Sequence, residues 1–246
     1  DGAHSAVRHF AGIGFPGEPY EHVFFVADVT VTGTMVPDEV NVYLWRSGFH
    51  LFFPMRGTDH WRVVGILPAA LTNREGVTFD DVVPSLRGEA GEALRFQSCT
   101  WFSTYRIHHR AAERFRSGRS FLLGDAAHIH SPVGAQGMNT GLQDAYNLAW
   151  KLALVCEGRA NAKLLDSYEA ERLPVARALL ATTDRAFKLV VADNVAAGLL
   201  RTQVIARFAA FAMRQERVQR FAFRTVSQIG IEYRESALSH TLDAWP

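Results

Sequence analysis

The chain has 246 residues, 48% of them hydrophobic and 21% charged, a soluble globular composition long enough for one large domain or two modest ones. A formal net charge of +1, with no block of Lys or Arg, removes the electrostatic argument for a nucleic-acid partner. Cys99 and Cys156 are too few for a disulfide framework or a cysteine-based zinc site, and no apolar run approaches the ~20 residues of a membrane span, so a cytoplasmic protein without membrane or secretory segments is expected.

Near the start, "GIGFPG" at residues 12–17 has the spacing G-x-G-x-x-G. Pro16 and Pro19 flank a turn leading into a strand rather than a helix, so it reads as a loop and not as a dinucleotide fingerprint. From residue 21, "HVFFVADVTV", "VNVYLWRSG", "FHLFFPMRG" and "HWRVVGILP" are β-branched and aromatic runs separated by Gly, Pro and Asp, a mainly antiparallel meander. "TFDDVVPSLRGEAGEAL" reads as a helix, with Pro84 and two glycines against it. "LRFQSCTWFSTYRIHHR" returns to strand and closes a sheet module at about residue 109. Trp45, Phe49, Phe52, Phe53, Trp61 and Trp101 could line an aromatic pocket, but aromatics on strands are read first as core.

After Arg110 the character changes. "AAERFRSGR" is a short helix or turn, and "SFLLG" a compact strand. From Asn139 the residues Leu142, Ala145, Leu148, Ala149, Leu152 and Val155 recur at helical steps and predict one buried face, with Gly158 as the stop. "LLDSYEAERLPVARALLATTDRAFKLVV" keeps helical period with a break expected at Pro174. "NVAAGLLRTQVIARFAAFAMRQERVQRFAF" predicts a further helix or pair, its arginines a solvated face. "SQIGIEYRESALSHTLDAWP" breaks that periodicity.

The loop between strand and helix, "GDAAHIHSPVGAQGMN", carries the chemistry. His128 and His130 lie two apart in a loop that defines no common face, so a metal site is disfavoured, and Ser131 has no nucleophile-elbow context. Asp125 instead stands at the carboxyl end of a strand, and Gly134, Ala135 and Gly137 open a helix with little side chain to hold a ligand off. Strand end and helix start together suit a ligand offering hydroxyls to the Asp and an anionic or flat group to bare N–H donors. Asp144 and Asn147 on the helix read as capping or packing partners.

These residues also carry a resemblance. "GRSFLLGDAAHIHSPVGAQGMNTGLQDAYNLAWKLALV" resembles the second flavin-binding motif of the para-hydroxybenzoate-hydroxylase-like (group A) FAD-dependent aromatic monooxygenases, nearest the phenol and polyketide-aromatic branch. "DGAHSAVR" is similar to the family's Asp-Gly motif, and "LLDSYEAERLPVA" and "SQIGIEYRESALS" to its later segments. The resemblance implies an α/β (α+β) fold of the FAD/NAD(P)-binding, para-hydroxybenzoate hydroxylase type, with a mainly antiparallel substrate-domain sheet followed by helices. On that pattern residues 1–20 are a residual part of the FAD-binding domain, 21–109 the substrate-binding sheet, 110–190 the second FAD motif with its helices, and 191–246 a C-terminal helical segment opening a shortened region. The chain starts at the Asp-Gly motif, ahead of which the family has a G-x-G-x-x-G unit, so it is expected to be an internal fragment.

Residue roles follow by position. Gly124 and Asp125 would hold the FAD ribose. Pro132, Gly134, Ala135, Gln136, Gly137, Met138 and Asn139 would line the isoalloxazine, and Asp1 would meet both FAD and the transient nicotinamide cofactor, with Arg8 bracing that loop. Ala135 departs from the family's usual Gly-Gly before Gln. The implied activity is hydroxylation of a phenolic or polyketide-type aromatic with O2 and NADPH or NADH through a flavin C4a-hydroperoxide, the flavin carrying the chemistry and no side chain assigned as catalytic. The choice of nicotinamide nucleotide and the oligomeric state, a homodimer among the options, stay open. The alternative is a non-catalytic or incomplete FAD-binding remnant of the same fold.

Overall fold

Burial of every second residue of its long first strand, from Val23 to Val31, organises the sheet of this computed structural model, which describes residues 1–45, 48–130, 136–191, 208, 211, 212 and 214–239. The chain forms two compact units and passes between them at residues 18/19, 107/108, 187/188 and 214/215.

One unit is built on Pro19–Ile107. Strands β1 (Gly17–Thr32), β2 (Asn41–Trp45), β3 (Gly48–Pro54), β4 (His60–Ile66) and β5 (Arg95–Ala111) lie in the order β2-β3-β4-β1-β5. The pairs β1–β4, β2–β3 and β3–β4 are antiparallel, in registers such as Phe25↔Gly65 and Leu51↔Val64. The expected antiparallel pairing is present, but only β2, β3 and β4 follow one another as a meander; β1 lies between β4 and β5 instead of beside β2. Every second residue of β1 from Val23 to Val31 points into one apolar cluster, as the two-residue period of a strand requires. Helix α2 (Phe79–Ala90) covers it with Phe79, Val82 and Leu86 at helical spacing. A capping box between Thr78 and Asp81 starts this helix, and the apolar burial carries it through Pro84. Phe49, Phe52 and Trp61 are core residues, whereas Trp101 is 48% exposed.

The other unit joins Asp1–Glu18, His108–Phe187 and the residues from Gln215 onward. It contains α1 (Ala6–Phe10), the hairpin β6 (Arg116–Ser117) and β7 (Ser120–Phe121), β8 (His128–Ile129), α3 (Gly137–Cys156), α4 (Asp166–Val191) and α5 (Glu216–Val226). The "GIGFPG" segment is a loop into β1. A Cβ on Gly17, at φ +135°, would lie 2.0 Å from the His109 carbonyl oxygen, so only glycine fits there.

Of the two options for "AAERFRSGR", the turn is found: the segment leads into the β6–β7 hairpin, with Gly118 at φ +58°. Three local expectations are corrected. The strand expected through "SFLLG" pairs only at Ser120–Phe121. Beyond it the Leu122 N–H donates to Phe115 at 2.8 Å, and Leu123 is extended without a paired neighbour among the described residues. His128 is not in a featureless loop: with Ile129 it pairs antiparallel to Arg110–Ala111. Pro174 does not break α4, which runs unbroken to Val191 because Glu171, Arg172, Ala176, Leu179 and Thr183 are buried on both sides of the proline. Packing here outweighs the ~3 kcal/mol or more that an interior proline costs.

The largest departure concerns α3. Of the apolar stripe expected to be buried, only Leu148 is; Leu142 is 61% exposed. Its buried face is Thr140, Asp144, Asn147, Leu148 and Lys151, while Met138, Leu142, Tyr146 and Trp150 follow one another at four-residue steps on the exposed side. The polar face is buried because every one of those polar side chains finds a partner.

Candidate cofactor site

The loop that follows β7 is held from behind by one carboxylate. Gly124 turns the chain at φ +55° and its N–H donates to Asp144 Oδ2 at 3.0 Å. His128 Nε2 meets the same oxygen at 2.7 Å, and Arg172 Nε donates to Oδ1 at 2.7 Å. Asp144 and Arg172 are fully buried and His128 nearly so. Burial by itself would raise the Asp144 carboxyl. The His128 hydrogen bond and charge, with the Arg172 guanidinium, outweigh it and hold the group below the usual carboxylate range. Arg172 extends the network to the Thr140 carbonyl at 3.2 Å and the Tyr233 hydroxyl at 3.0 Å.

A second buried cluster lies one turn further along α3. Lys151 Nζ donates to Glu171 Oε2 at 2.6 Å and to Asn147 at 2.8 Å, while Ser236 Oγ donates to Glu171 Oε1 at 2.6 Å. Burial pushes Glu171 up, but hydrogen bonds from Asn147, Lys151 and Ser236 bring it below its ordinary value. The interior of this unit thus fixes α3, α4 and the segment around 233–236 by charge as much as by apolar contact.

Held in this way, the turn Gly124–Ala126 leaves Asp125 exposed. Its carboxylate makes no hydrogen bond or ion pair with any described residue. Gly141 permits the approach of α3, since a Cβ there would stand 3.3 Å from the Gly124 Cα. Gln136 occupies the N-cap position of α3 without capping it, and the first turn holds no acidic side chain. Its leading N–H groups therefore have no intrahelical acceptor, and the dipole favours negative charge at that end. An uncommitted carboxylate beside an uncapped helix start fits a cofactor that offers ribose hydroxyls and an electron-rich ring edge.

The other expected site residues fall as follows. Asp1 accepts from the Ser5 hydroxyl and from the N–H groups of Ala6 and Val7 at 3.1 and 3.3 Å, so its carboxylate caps α1. Arg8 donates to the Ala126 carbonyl at 2.8 Å and to Ala3 at 2.8 Å, tying the Asp-Gly loop to the Asp125 turn. Gly137 lies where a Cβ would meet His130 Nε2 at 3.3 Å, and Met138 is 76% exposed. The Gln136 and Asn139 side chains donate to the carbonyls of Thr225 and Val226 at 2.9 and 3.3 Å. Pro132, Gly134 and Ala135 lie outside the described residues.

The clamp of His128, Asp144 and Arg172 was not singled out by the sequence reading. A signal existed: Thr140, Asp144, Asn147 and Lys151 are polar at one continuous helical spacing, and "EAER" supplies opposite charges one helix later.

Residues 1–183 match the family described as FAD binding domain. The chain is 35% identical over 240 residues to 6-methylpretetramide 4-monooxygenase of Streptomyces rimosus, covering 98% of this chain and 43% of that protein. It is 36% identical over 239 residues to a rifampicin monooxygenase of Streptomyces venezuelae, covering 95% and 48%. Among solved structures, the anhydrotetracycline hydroxylase OxyS from Streptomyces rimosus superposes with a TM-score of 0.69 at 30% identity, over 95% of this chain and 46% of that one. A ternary complex of aklavinone-11 hydroxylase with FAD and aklavinone gives 0.68 at 29% identity, over 78% and 37%. The chain spans less than half the length of these relatives. By its family match and shared fold, the chain belongs to the FAD binding domain family, among the para-hydroxybenzoate-hydroxylase-like FAD monooxygenases.

Proposed function

We propose that the native protein is an FAD-dependent monooxygenase that hydroxylates a phenolic or polyketide-type aromatic, with O2 as co-substrate and NADPH or NADH as transient reductant. The observation that carries this reading is the exposed carboxylate of Asp125, without a partner among the described residues and presented by a turn that Asp144 clamps from behind. Relatives named as monooxygenases of 6-methylpretetramide, rifampicin and pentachlorophenol support an aromatic substrate. Bound FAD supplies the redox and oxygen chemistry.

The protein's part is placement. Asp125 accepts hydrogen bonds from the ribose hydroxyls. Pro132, Gly134, Ala135, Gln136, Gly137, Met138 and Asn139 line the isoalloxazine, and the start of α3 stabilises negative charge there by ~0.3–1 kcal/mol if exposed and up to ~2 if buried. Asp1 and Arg8 order the Asp-Gly loop against the Asp125 turn. The sheet module of residues 21–109 is assigned the substrate-binding part.

Two exposed free cysteines suit a reducing cytoplasm. No helix among the described residues is long and apolar enough to cross a membrane.

The flavin absorption spectrum of the purified native protein, with NAD(P)H oxidation recorded across phenols and polycyclic aromatics, tests the proposal. Bound FAD and substrate-stimulated oxidation are expected. A protein that holds no flavin would sink it, and bound flavin without stimulated oxidation would favour a non-catalytic FAD-binding remnant.

A further inference from the structure

A cleft of about 800 Å³ lies between α4 and α5, within the range of small-molecule sites. Leu179 and Val175 of α4 and Ile231 give it an apolar floor, and Phe221 stands on one wall. Arg217, Arg220 and Arg224 of α5 also line it, at i, i+3 and i+7, the spacing that puts side chains on one helical face. Arg220 pairs with Glu216 at 2.6 Å, whereas Arg217 and Arg224 form no ion pair or hydrogen bond with a described residue. The one acidic group on the lining among the described residues, Glu232, is paired with Arg234 at 2.7 Å. Positive charge is concentrated here: residues 214–226 carry four Arg and one Glu, a net +3 in a chain whose total is +1.

The cleft is also joined to the start of α3, because Gln136 and Gln228 belong to its lining. The Gln136 side chain donates to the Thr225 carbonyl at 2.9 Å, Asn139 to that of Val226 at 3.3 Å, and the Gln228 amide to the Thr140 hydroxyl at 2.7 Å. Thr225 and Val226 end α5, so whatever immobilises α5 also immobilises the first turn of α3.

Unpaired guanidinium groups beside an apolar floor select an anion attached to a flat body, and arginine matches carboxylate oxygens two at a time. The two unpaired arginines stand about 10 Å apart along the helix axis at ~1.5 Å per residue, so an extended ligand that meets both carries an acid group at each end. We propose that this cleft, built by the helical unit alone, is an effector site for a polycyclic aromatic dicarboxylate, and that filling it tightens FAD binding by ordering α5 against the start of α3. The coupling rests on the flavin reading, because Gln136 and Asn139 belong to the segment proposed to line the isoalloxazine.

The site is tested by titration calorimetry of three probes: a naphthalene dicarboxylate with its acid groups at opposite ends, naphthoate, and the matching naphthalene dicarboxamide. Each is titrated into the native protein and into an Arg217→Gln/Arg224→Gln variant, which alters only exposed side chains. The dicarboxylate is expected to bind the native protein at least about tenfold more tightly than either other probe. The Gln variant loses that margin and its salt dependence, and an Arg217→Lys/Arg224→Lys variant recovers part of it, since charge remains without the planar fork. Saturating dicarboxylate lowers the Kd of FAD at least about fivefold in the native protein and not in the Gln variant, and by linkage FAD tightens the dicarboxylate by the same factor. Equal binding of dicarboxylate and dicarboxamide, or an unaltered dicarboxylate Kd in the Gln variant, would overturn the site. Displacement of the dicarboxylate by a phenol that stimulates NAD(P)H oxidation would overturn it too, by making the cleft part of the substrate site. An unaltered Kd of FAD would overturn the coupling. The dicarboxylate titration needs no flavin, so absence of FAD would defeat the proposed function and the coupling while the titration still decides the site.

Discussion

The two units bury different chemistry under similar helices. On the sheet, α2 buries Phe79, Val82 and Leu86 against β-branched and aromatic side chains. In the other unit, α3 buries Thr140, Asp144, Asn147 and Lys151 and turns Met138, Leu142 and Tyr146 outward. The first arrangement is non-directional and stabilises by area removed from water. The second is directional: Asp144 can satisfy Gly124, His128 and Arg172 only if all three keep their places. An apolar core holds a wall, and a charged one holds a loop in a single conformation.

The largest effect on this contrast is expected from Asp144→Ala. It leaves Arg172 buried and uncompensated, and should cost about 3–5 kcal/mol, read as a fall in the denaturant midpoint of this unit. In the sheet unit, Leu86→Ala removes a fully buried side chain and should cost about 2–5 kcal/mol by cavity formation alone. Salt should change neither cost much, since both sites are buried.

Acid acts on the buried clamp next. The Asp144 and Glu171 carboxyls are depressed in the folded state, so the stability they contribute is present above their unfolded values, near pH 4, and disappears as pH falls through the folded ones. Denaturation followed from pH 7 to pH 2 should therefore show the α3–α4 unit weakening below about pH 4. An Asp144→Asn variant should flatten that dependence, and an unchanged slope would show that the clamp is not the titrating element.

Smaller still is the expected effect of Asp125→Ala on folding, within about 0.5 kcal/mol because the side chain is exposed and unpartnered. FAD affinity should fall about 10–100-fold, the worth of a hydrogen bond to a charged group. Unchanged FAD affinity would remove the proposed ribose contact. Small too is the effect of Asp28→Asn, which breaks the Arg62 pair on the sheet, bonded at 2.7 and 2.8 Å with Arg62 46% exposed, and should cost no more than about 1 kcal/mol. A surface pair costing as much as the Asp144 clamp would erase the contrast between the units.

Legibility followed the same division. Strands β1 to β5 were readable because a half-buried sheet imposes a two-residue apolar period, which does not depend on what packs against it. The turn at Gly124 that exposes Asp125 and the helix start at Gly137 were readable from the Asp and the glycines of that segment. Helix α4 was readable in type and not in continuity, because the penalty at Pro174 is local and the burial that overrides it is not. The orientation of α3 was misread. Periodicity reports which residues share a face; it does not report whether that face is buried by apolar contact or by ion pairs.

Sequence alone determined the antiparallel module, the helices after residue 137, the position of Asp125 before a glycine-rich helix start, and through its motifs the family to which the chain belongs. Tertiary structure decided that the Gly124 amide, His128 and Arg172 converge on the Asp144 carboxylate, that Arg8 ties the Asp-Gly loop to the Asp125 turn, and that arginines expected to be solvated line a cleft beside Gln136. The physical reason is range. Backbone period and turn chemistry act over a few neighbours, whereas a buried charge is satisfied by partners 16 to 28 positions away, and only the folded chain brings those together.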